Sequence, residues 1–166
     1  MISVERLKQV LEYDPETGIW TWLVSPCHFI KVGQVAGHVQ DNGYRQIRID
    51  YVYYKSARLA HLYMTGEWPK EQMDHINRDR ADDRWVNLRE ATASDNNVNK
   101  RLQCNNTSGY RGVSWDRWQQ KWNVRVNRMH LGWYDNLATA VAERDRYALL
   151  AQGSFAILNS QMEISR

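Results

Sequence analysis

Residues 74–99 read DHINRDRADDRWVNLREATASDNNVN. An extended piece ends at Asp74 and His75, a polar loop follows, and a second extended piece begins at Asn87. A helix begins near Thr92, because the pattern Thr-x-x-Asp is a capping signal. The stretch therefore predicts a strand, a loop, a second strand and a helix, a unit small enough to bring polar side chains of different elements together.

Three polar side chains of this stretch have the chemistry of a metal-dependent hydrolase. Asp74 and the side-chain carbonyl of Asn96 are hard oxygen ligands, suited to Mg²⁺ or Mn²⁺. His75 supplies an imidazole, which accepts protons near neutral pH. If the helix packs across the strands, a metal could bind a scissile phosphate and the leaving 3′ oxygen while His75 activates water. The alternative is a loop of solvated polar residues, since an Asp-His pair is common.

Apolar spacing predicts the elements before this stretch. Residues 2–13 favour a short helix, residues 14–18 a turn, and residues 19–24 and 44–49 two strands. A helix over 56–65 would end at the glycine that follows it.

The stretch 74–99 resembles the HNH endonucleases of phages and mobile introns, in their form D-H-x-N-x-D-x-x-D-N-R-x-x-N-L-R-x-A-T-x-x-x-N-x-x-N. The upstream segments YDPETGIWTW, GYRQIRI and ARLAHLYMTGEWP are similar to the same family, so the resemblance covers roughly residues 8–100. It implies a ββα-metal fold at residues 71–100, preceded by a β-rich extension.

The resemblance implies a function for five of the matching positions. His75 would be the catalytic general base, and Asn87, grouped with it as catalytic, would brace the loop and help to orient the histidine. Asp74 and Asn96 would bind the metal. Asn99 would support the structure or touch phosphate.

Two further loop positions bear on the site. Arg84, like Arg78 and Arg80, either touches phosphate or pairs with the aspartates of the loop, and it is kept as a supporting site residue. Asp83 stands where many members of the family have Asn, and the change is expected to be harmless.

The C-terminal part of the chain is basic and rich in Trp and Asn. Residues 101–134 hold six basic residues against one acidic residue, which favours a nucleic-acid partner over a merely solvated sheet face. Strand-like runs at 110–115, 122–127 and 129–134 precede a helix over 137–151, which would cover one face of the sheet. Alternation in the middle run leaves the other face to Asn123, Arg125 and Asn127.

Residues 105–159 resemble the AP2 DNA-binding domain through YRGV, the Lys121-Trp122 pair, LGWY, LATAVAERDRYA and the closing stretch from Gly153 to Asn159. In that family a three-stranded sheet lies in the major groove and a helix backs it. Trp122 and Trp133 are expected in the core. The DNA-contacting positions that the resemblance implies are Arg111, Trp118, Arg125, Asn127, Arg128 and His130.

The predicted fold class is α+β: an HNH domain at residues 1–100, a linker at 101–108 and an AP2-like sheet with one helix at 109–160. No apolar run approaches the roughly 18 residues of a membrane helix, and the N-terminus lacks a secretory apolar region. Two cysteines without a CxxC pair argue against a zinc knuckle or a disulfide framework. We expect a cytoplasmic, phage-encoded monomer that needs no zinc.

The predicted function is that of a homing-type, site-selective endonuclease. It would use Mg²⁺ or Mn²⁺ to hydrolyse phosphodiester bonds in double-stranded DNA. Two alternatives stay open: a non-catalytic DNA-binding regulator that uses the C-terminal sheet, and an HNH nuclease that acts on RNA or structured DNA.

Overall fold

A computed structural model describes residues 1–98, 102 and 106–161. The chain divides into two compact units, Met1–Ala93 and Ser94–Arg166. Helices and small antiparallel sheets alternate in both units, which confirms the predicted α+β class. None of the helices in the described part of the chain has the length and apolarity needed to span a bilayer.

The first unit opens with a helix and a hairpin. Helix α1 (Val4–Val10) is capped by Ser3, and strand β1 (Leu11–Asp14) pairs antiparallel with β2 (Ile19–Trp22). The helix expected over 2–13 therefore ends at Val10. Pairing with β2 makes residues 11–14 a strand, in which side chains point alternately to opposite faces. Leu11 and Tyr13 therefore share one face and are buried.

A three-stranded sheet and a helix complete the core of this unit. Strands β3 (His38–Val39), β4 (Arg45–Ile49) and β5 (Val52–Lys55) pair in that order, and α2 (Ser56–Thr65) follows directly. As predicted, α2 ends at a glycine, Gly66, in the left-handed conformation. The largest fully buried side chains of the core are Trp20, Leu7, Leu11, Ile47 and Leu59.

The decisive stretch folds in the predicted order. Strand β6 (Gln72–His75) pairs antiparallel with β7 (Leu88–Ala91), and the loop between them closes with a 3₁₀ turn at Trp85–Asn87. Helix α3 (Ala93–Val98) follows at the boundary between the two units. The cross-strand register places Asp74 opposite Arg89.

The β1–β2 hairpin, which lies outside residues 74–99, contacts the loop between β6 and β7. The Tyr13 hydroxyl donates to the carbonyl of Asp83 at 2.6 Å, and the amide of Trp85 donates to the carbonyl of Pro15 at 2.9 Å. Gly18 has a φ of +71°, and a Cβ there would lie 2.5 Å from the Arg84 nitrogen. Only a glycine lets the two backbones approach so closely.

The second unit is a small sheet backed by a helix. Strands β8 (Val113–Asp116), β9 (Lys121–Val126) and β10 (Met129–Tyr134) form an antiparallel sheet in the order β10-β9-β8. Helix α4 (Leu137–Gln152), capped by Asn136, buries Ala140 against Val113 and Val124. The predicted arrangement of one sheet and one helix is present, while its likeness to the AP2 fold stays a prediction.

Helix α4 also buries a charged pair, Arg144 and Asp145. Arg144 and Asp145 are both buried, and Asp145 accepts 3.0 Å hydrogen bonds from the amides of Asn159 and Ser160. Arg144 donates to the carbonyl of Ile157. Polar contacts therefore hold the C-terminal segment against the helix.

Replacing Gly18 by Ala tests the close approach of turn and loop. Gly18→Ala adds left-handed strain and a clash with backbone, so we expect a loss of about 2–4 kcal/mol in the free energy of unfolding. Gly66→Ala is the matched control, because its φ of +82° carries the same strain with no atom within 4 Å of the new Cβ; it should lose about 1–2 kcal/mol. Urea unfolding followed by Trp fluorescence measures both, and equal losses would contradict the contact.

Candidate active site

The end of β6 places a carboxylate and an imidazole side by side in a buried position. Asp74 is 8% exposed and His75 is 4% exposed. Arg89, across the strand pair, brings Nε and Nη2 within 3.0 and 2.9 Å of Asp74 Oδ2. The guanidinium holds the carboxylate in place and offsets its charge, which makes its burial tolerable.

His75 contacts a second carboxylate. His75 Nε2 lies 2.9 Å from Oδ1 of Asp83, a side chain that is only 2% exposed. Asp83 is therefore not a solvated loop residue but is buried against the imidazole, and the expectation that Asp at this position is harmless stays a prediction. The Asn that the resemblance implies at this position is the signal that singles Asp83 out.

Strand β4 brings two further residues to this pair. Arg45 Nε lies 3.9 Å from Asp83 Oδ2, and within the described residues neither of these buried atoms has a hydrogen-bond partner. The ring centroids of Tyr44 and His75 are 5.9 Å apart. Sequence reasoning assigned Tyr44 and Arg45 to a strand and gave neither a place in the site.

Asn87 braces the loop through both ends of its amide. Its Oδ1 accepts from the amide of Asn77 at 2.9 Å, and its Nδ2 donates to the carbonyl of Asp82 at 2.7 Å. The backbone carbonyl of Asn87 also accepts from the amide of Ile76, the residue directly after His75. These bonds fix the loop next to the imidazole, while a catalytic role for Asn87 stays a prediction.

Arg84 pairs within the loop. Its Nε and Nη2 donate to the two carboxylate oxygens of Asp82 at 2.7 and 2.6 Å. This fork lowers the pKa of Asp82 from an ordinary value of 3.8 to about 2. Of the two alternatives for Arg84, the structure shows the aspartate pair, and a phosphate contact stays a prediction.

The residues predicted to bind a metal are divided between the two units. Asp74 belongs to the first unit, whereas Asn96, half-buried on α3, belongs to the second; Asn99 lies outside the described residues. Within the described residues, no group of three or more His, Cys, Asp and Glu side chains could hold a metal ion. The donor chemistry of the first unit still fits a hard divalent cation, since the Asp74 carboxylate is held beside an imidazole, and Asn96 as a ligand stays a prediction.

The C-terminal sheet exposes part of its predicted contact set. Arg125 and His130 are exposed cross-strand partners, and the His130 ring lies 4.2 Å from that of Trp133. Trp118, in the turn after β8, is 95% exposed. Trp133, expected in the core, is 46% exposed, and its Nε1 donates to Asp116. These exposed rings suit contacts with a partner better than core packing.

Other predicted contact positions have structural partners. Asn127 and Arg128 form the tight β9–β10 turn with φ values of 48° and 69°, and Asn127 Oδ1 accepts from Gln152 Nε2 at 2.7 Å. The backbone of Arg111 is bonded at both its amide and its carbonyl to the side chain of Asn159. Asn123, expected on the wet face, is 8% exposed.

Residues 54–98 match the family model described as HNH endonuclease. No curated protein and no solved structure gives a significant match. The family match supports an HNH endonuclease domain in this segment, and with it a nuclease that binds nucleic acid. It ends before the C-terminal sheet and does not extend to the AP2 resemblance.

Acid unfolding tests the Asp82–Arg84 pair. Because the pKa of Asp82 is lowered on folding, the pair stabilises the fold above pH 3.8, and this stabilisation is lost as the pH falls towards 2. Arg84→Gln should therefore lower the urea midpoint at pH 7 and have little effect near pH 2. A double-mutant cycle with Asp82→Asn isolates the pair, and a coupling that stays constant from pH 7 to pH 2 would argue against it.

Proposed function

We propose that this protein is a metal-dependent endonuclease that hydrolyses phosphodiester bonds in double-stranded DNA. The observation that carries the proposal is the buried Asp74–His75 pair at the end of β6, inside the segment that matches the HNH endonuclease family. The carboxylate offers a metal ligand and the imidazole a base, the two groups that metal-assisted phosphodiester hydrolysis requires.

Each side chain has a separate task in this reaction. His75 takes the proton of the attacking water. Asp74 would hold a divalent cation, Mg²⁺ or Mn²⁺, and Asn96 is the second ligand position that the motif implies. When bound, the cation stabilises charge on the phosphate and on the leaving 3′ oxygen. Arg89 keeps Asp74 in place, and Asn87 keeps the loop after His75 in one conformation.

A cationic sheet face in the first unit supports binding of a DNA backbone. The guanidinium of Arg48 lies over the rings of Tyr51 and Tyr53, and Lys55 and Arg80 both lie over Tyr44. Among the described residues, these three cations form no ion pair with a carboxylate. Since Tyr44 also contacts His75, phosphates held on this face would lie next to the proposed base.

The second unit would add a contact surface for a particular site. Its exposed Arg125, His130 and Trp118 offer a charge, a polar ring and a stacking surface, which fits the AP2-like reading of duplex DNA. Two linked modules bind one DNA more tightly than either alone, because the second contact is intramolecular. A monomer with two different modules suits an asymmetric site, and a phage-encoded homing function in the host cytoplasm is the setting that the resemblance implies.

Removal of the base tests the catalytic part of the proposal. His75→Ala should abolish the conversion of supercoiled plasmid to relaxed or linear DNA in Mg²⁺ or Mn²⁺ and keep DNA affinity unchanged. Wild-type activity should disappear in EDTA. Gel electrophoresis of a plasmid that carries the cognate site measures conversion, and a mobility shift measures affinity. Undiminished cleavage by His75→Ala would refute the assignment of the base.

Salt dependence of binding tests the cationic face. Lys55→Gln should reduce the slope of log K against log salt by about 0.9, the value for one lost phosphate contact. Lys8→Gln is the matched control, because Lys8 also lies over a tyrosine ring, that of Tyr63, and belongs to helix α1. Fluorescence anisotropy of labelled duplex DNA at several salt concentrations gives both slopes. Equal slopes for the two variants would exclude a phosphate contact at Lys55.

A further inference from the structure

The buried carboxylate of Asp83 has no role in the proposed hydrolysis by Asp74, His75 and Asn96. We propose that Asp83 is a positioning residue for His75: it accepts a hydrogen bond from Nε2 and thereby makes Nδ1 the nitrogen that receives the proton of water. This inference rests on the proposed nuclease function. It extends that function to a residue outside the Asp74, His75 and Asn96 set.

The donor and acceptor chemistry of the Asp83–His75 contact determines which ring nitrogen carries the hydrogen. An ionised carboxylate only accepts hydrogen bonds, so the 2.9 Å contact between Asp83 Oδ1 and His75 Nε2 requires the hydrogen on Nε2. In the neutral ring the lone pair then lies on Nδ1. An Asn at this position could present either its oxygen or its NH₂ group to the ring, and would leave the tautomer open.

His75 and Arg45 together surround the charge of Asp83. A carboxylate that is 2% exposed needs compensation, because burying a charge without a partner is strongly unfavourable. His75 meets one oxygen, and Arg45 Nε lies 3.9 Å from the other. That distance is too long for a hydrogen bond but short enough for an ion pair, so Arg45 offsets the negative charge without competing for the bond to His75.

The backbone that carries Asp83 is held by contacts from outside the loop. The hydroxyl of Tyr13 binds the carbonyl of Asp83, and the backbone of Gly18 packs against the backbone of Asp83 and Arg84. These contacts come from the β1–β2 hairpin, which fixes the loop backbone from the side of the protein core. The carboxylate therefore holds the imidazole in position before any substrate arrives, which is what a positioning residue must do.

A positioning residue should change the rate and the ring tautomer, and leave DNA affinity alone. Loss of a carboxylate that orients a functional imidazole costs about 10–100-fold by analogy with supporting groups at metal sites. We expect Asp83→Ala to lower the single-turnover cleavage rate by about that factor, with Asp83→Asn in between. The matched control is Asp79→Asn, a change of an exposed aspartate in the same loop, which should leave the rate unchanged.

Nitrogen NMR reads the tautomer directly. In the full-length ¹⁵N-labelled protein, long-range ¹H–¹⁵N correlations at a pH where the ring is neutral should show His75 with its hydrogen on Nε2, assigned by its loss in His75→Ala. Asp83→Ala should show a mixture of tautomers, with a circular dichroism spectrum that matches the wild type. Asp83→Asn, of nearly equal shape, provides the comparison if Asp83→Ala does not fold.

Three results would overturn the proposal: a wild-type ring with its hydrogen on Nδ1, a tautomer unchanged in both Asp83 variants, or a cleavage rate that Asp83→Ala and Asp79→Asn affect equally. The NMR experiment needs no catalysis. If the wild-type protein fails to cleave DNA, the nuclease proposal fails, and the spectrum still decides whether Asp83 sets the tautomer of His75.

Discussion

The backbone contact between the β1–β2 turn and the loop at Asp83 is the constraint on which the candidate site of the first unit depends. Tyr13 and Gly18 meet the loop where Asp83 turns its carboxylate to His75. The β1–β2 hairpin is itself anchored in the core. Its Trp20 is fully buried, and Trp20 Nε1 donates to the hydroxyl of Ser56 on α2. Hydrophobic packing of the hairpin thus sets the place of a polar group in the site.

Because of this dependence, the residues that shape the candidate site extend beyond the segment that matches the HNH endonuclease family. The match begins at residue 54, whereas Tyr13, Gly18 and Arg45 all contribute to the surroundings of the Asp83–His75 pair. A ββα motif contains two short strands and a short helix, too few residues to bury a core of their own. The N-terminal hairpin and the three-stranded sheet provide that core, and the site inherits its rigidity from them.

Sequence patterns predicted those elements whose conformation is determined by residues close together in the chain. The bounds of α2, its glycine stop and the order of β6, loop and β7 follow from spacing, and the motif singled out Asp74 and His75. The end of α1 could not be read in this way, because Leu11 and Tyr13 fit a helix as well as a strand until β2 pairs with them. The burial of Asp83 depends on Tyr13 and Arg45, which are distant in sequence. The residues near the motif therefore give no sign that Asp83 is buried. The burial of Arg144 and Asp145 likewise depends on residues 157–160.

A site that holds carboxylates and must also accept a polyanion faces an electrostatic conflict. Close carboxylates repel phosphates, and in a medium of low dielectric constant the repulsion is strong. The structure meets this conflict by giving each of three aspartates a cationic or imidazole neighbour: Arg89 for Asp74, Arg84 for Asp82, and His75 with Arg45 for Asp83. The cations of the nearby sheet face, by contrast, lie over tyrosine rings, which leave their charge uncompensated. Negative charge is thus neutralised where the proposed chemistry takes place, and positive charge stays available where the phosphate backbone would lie.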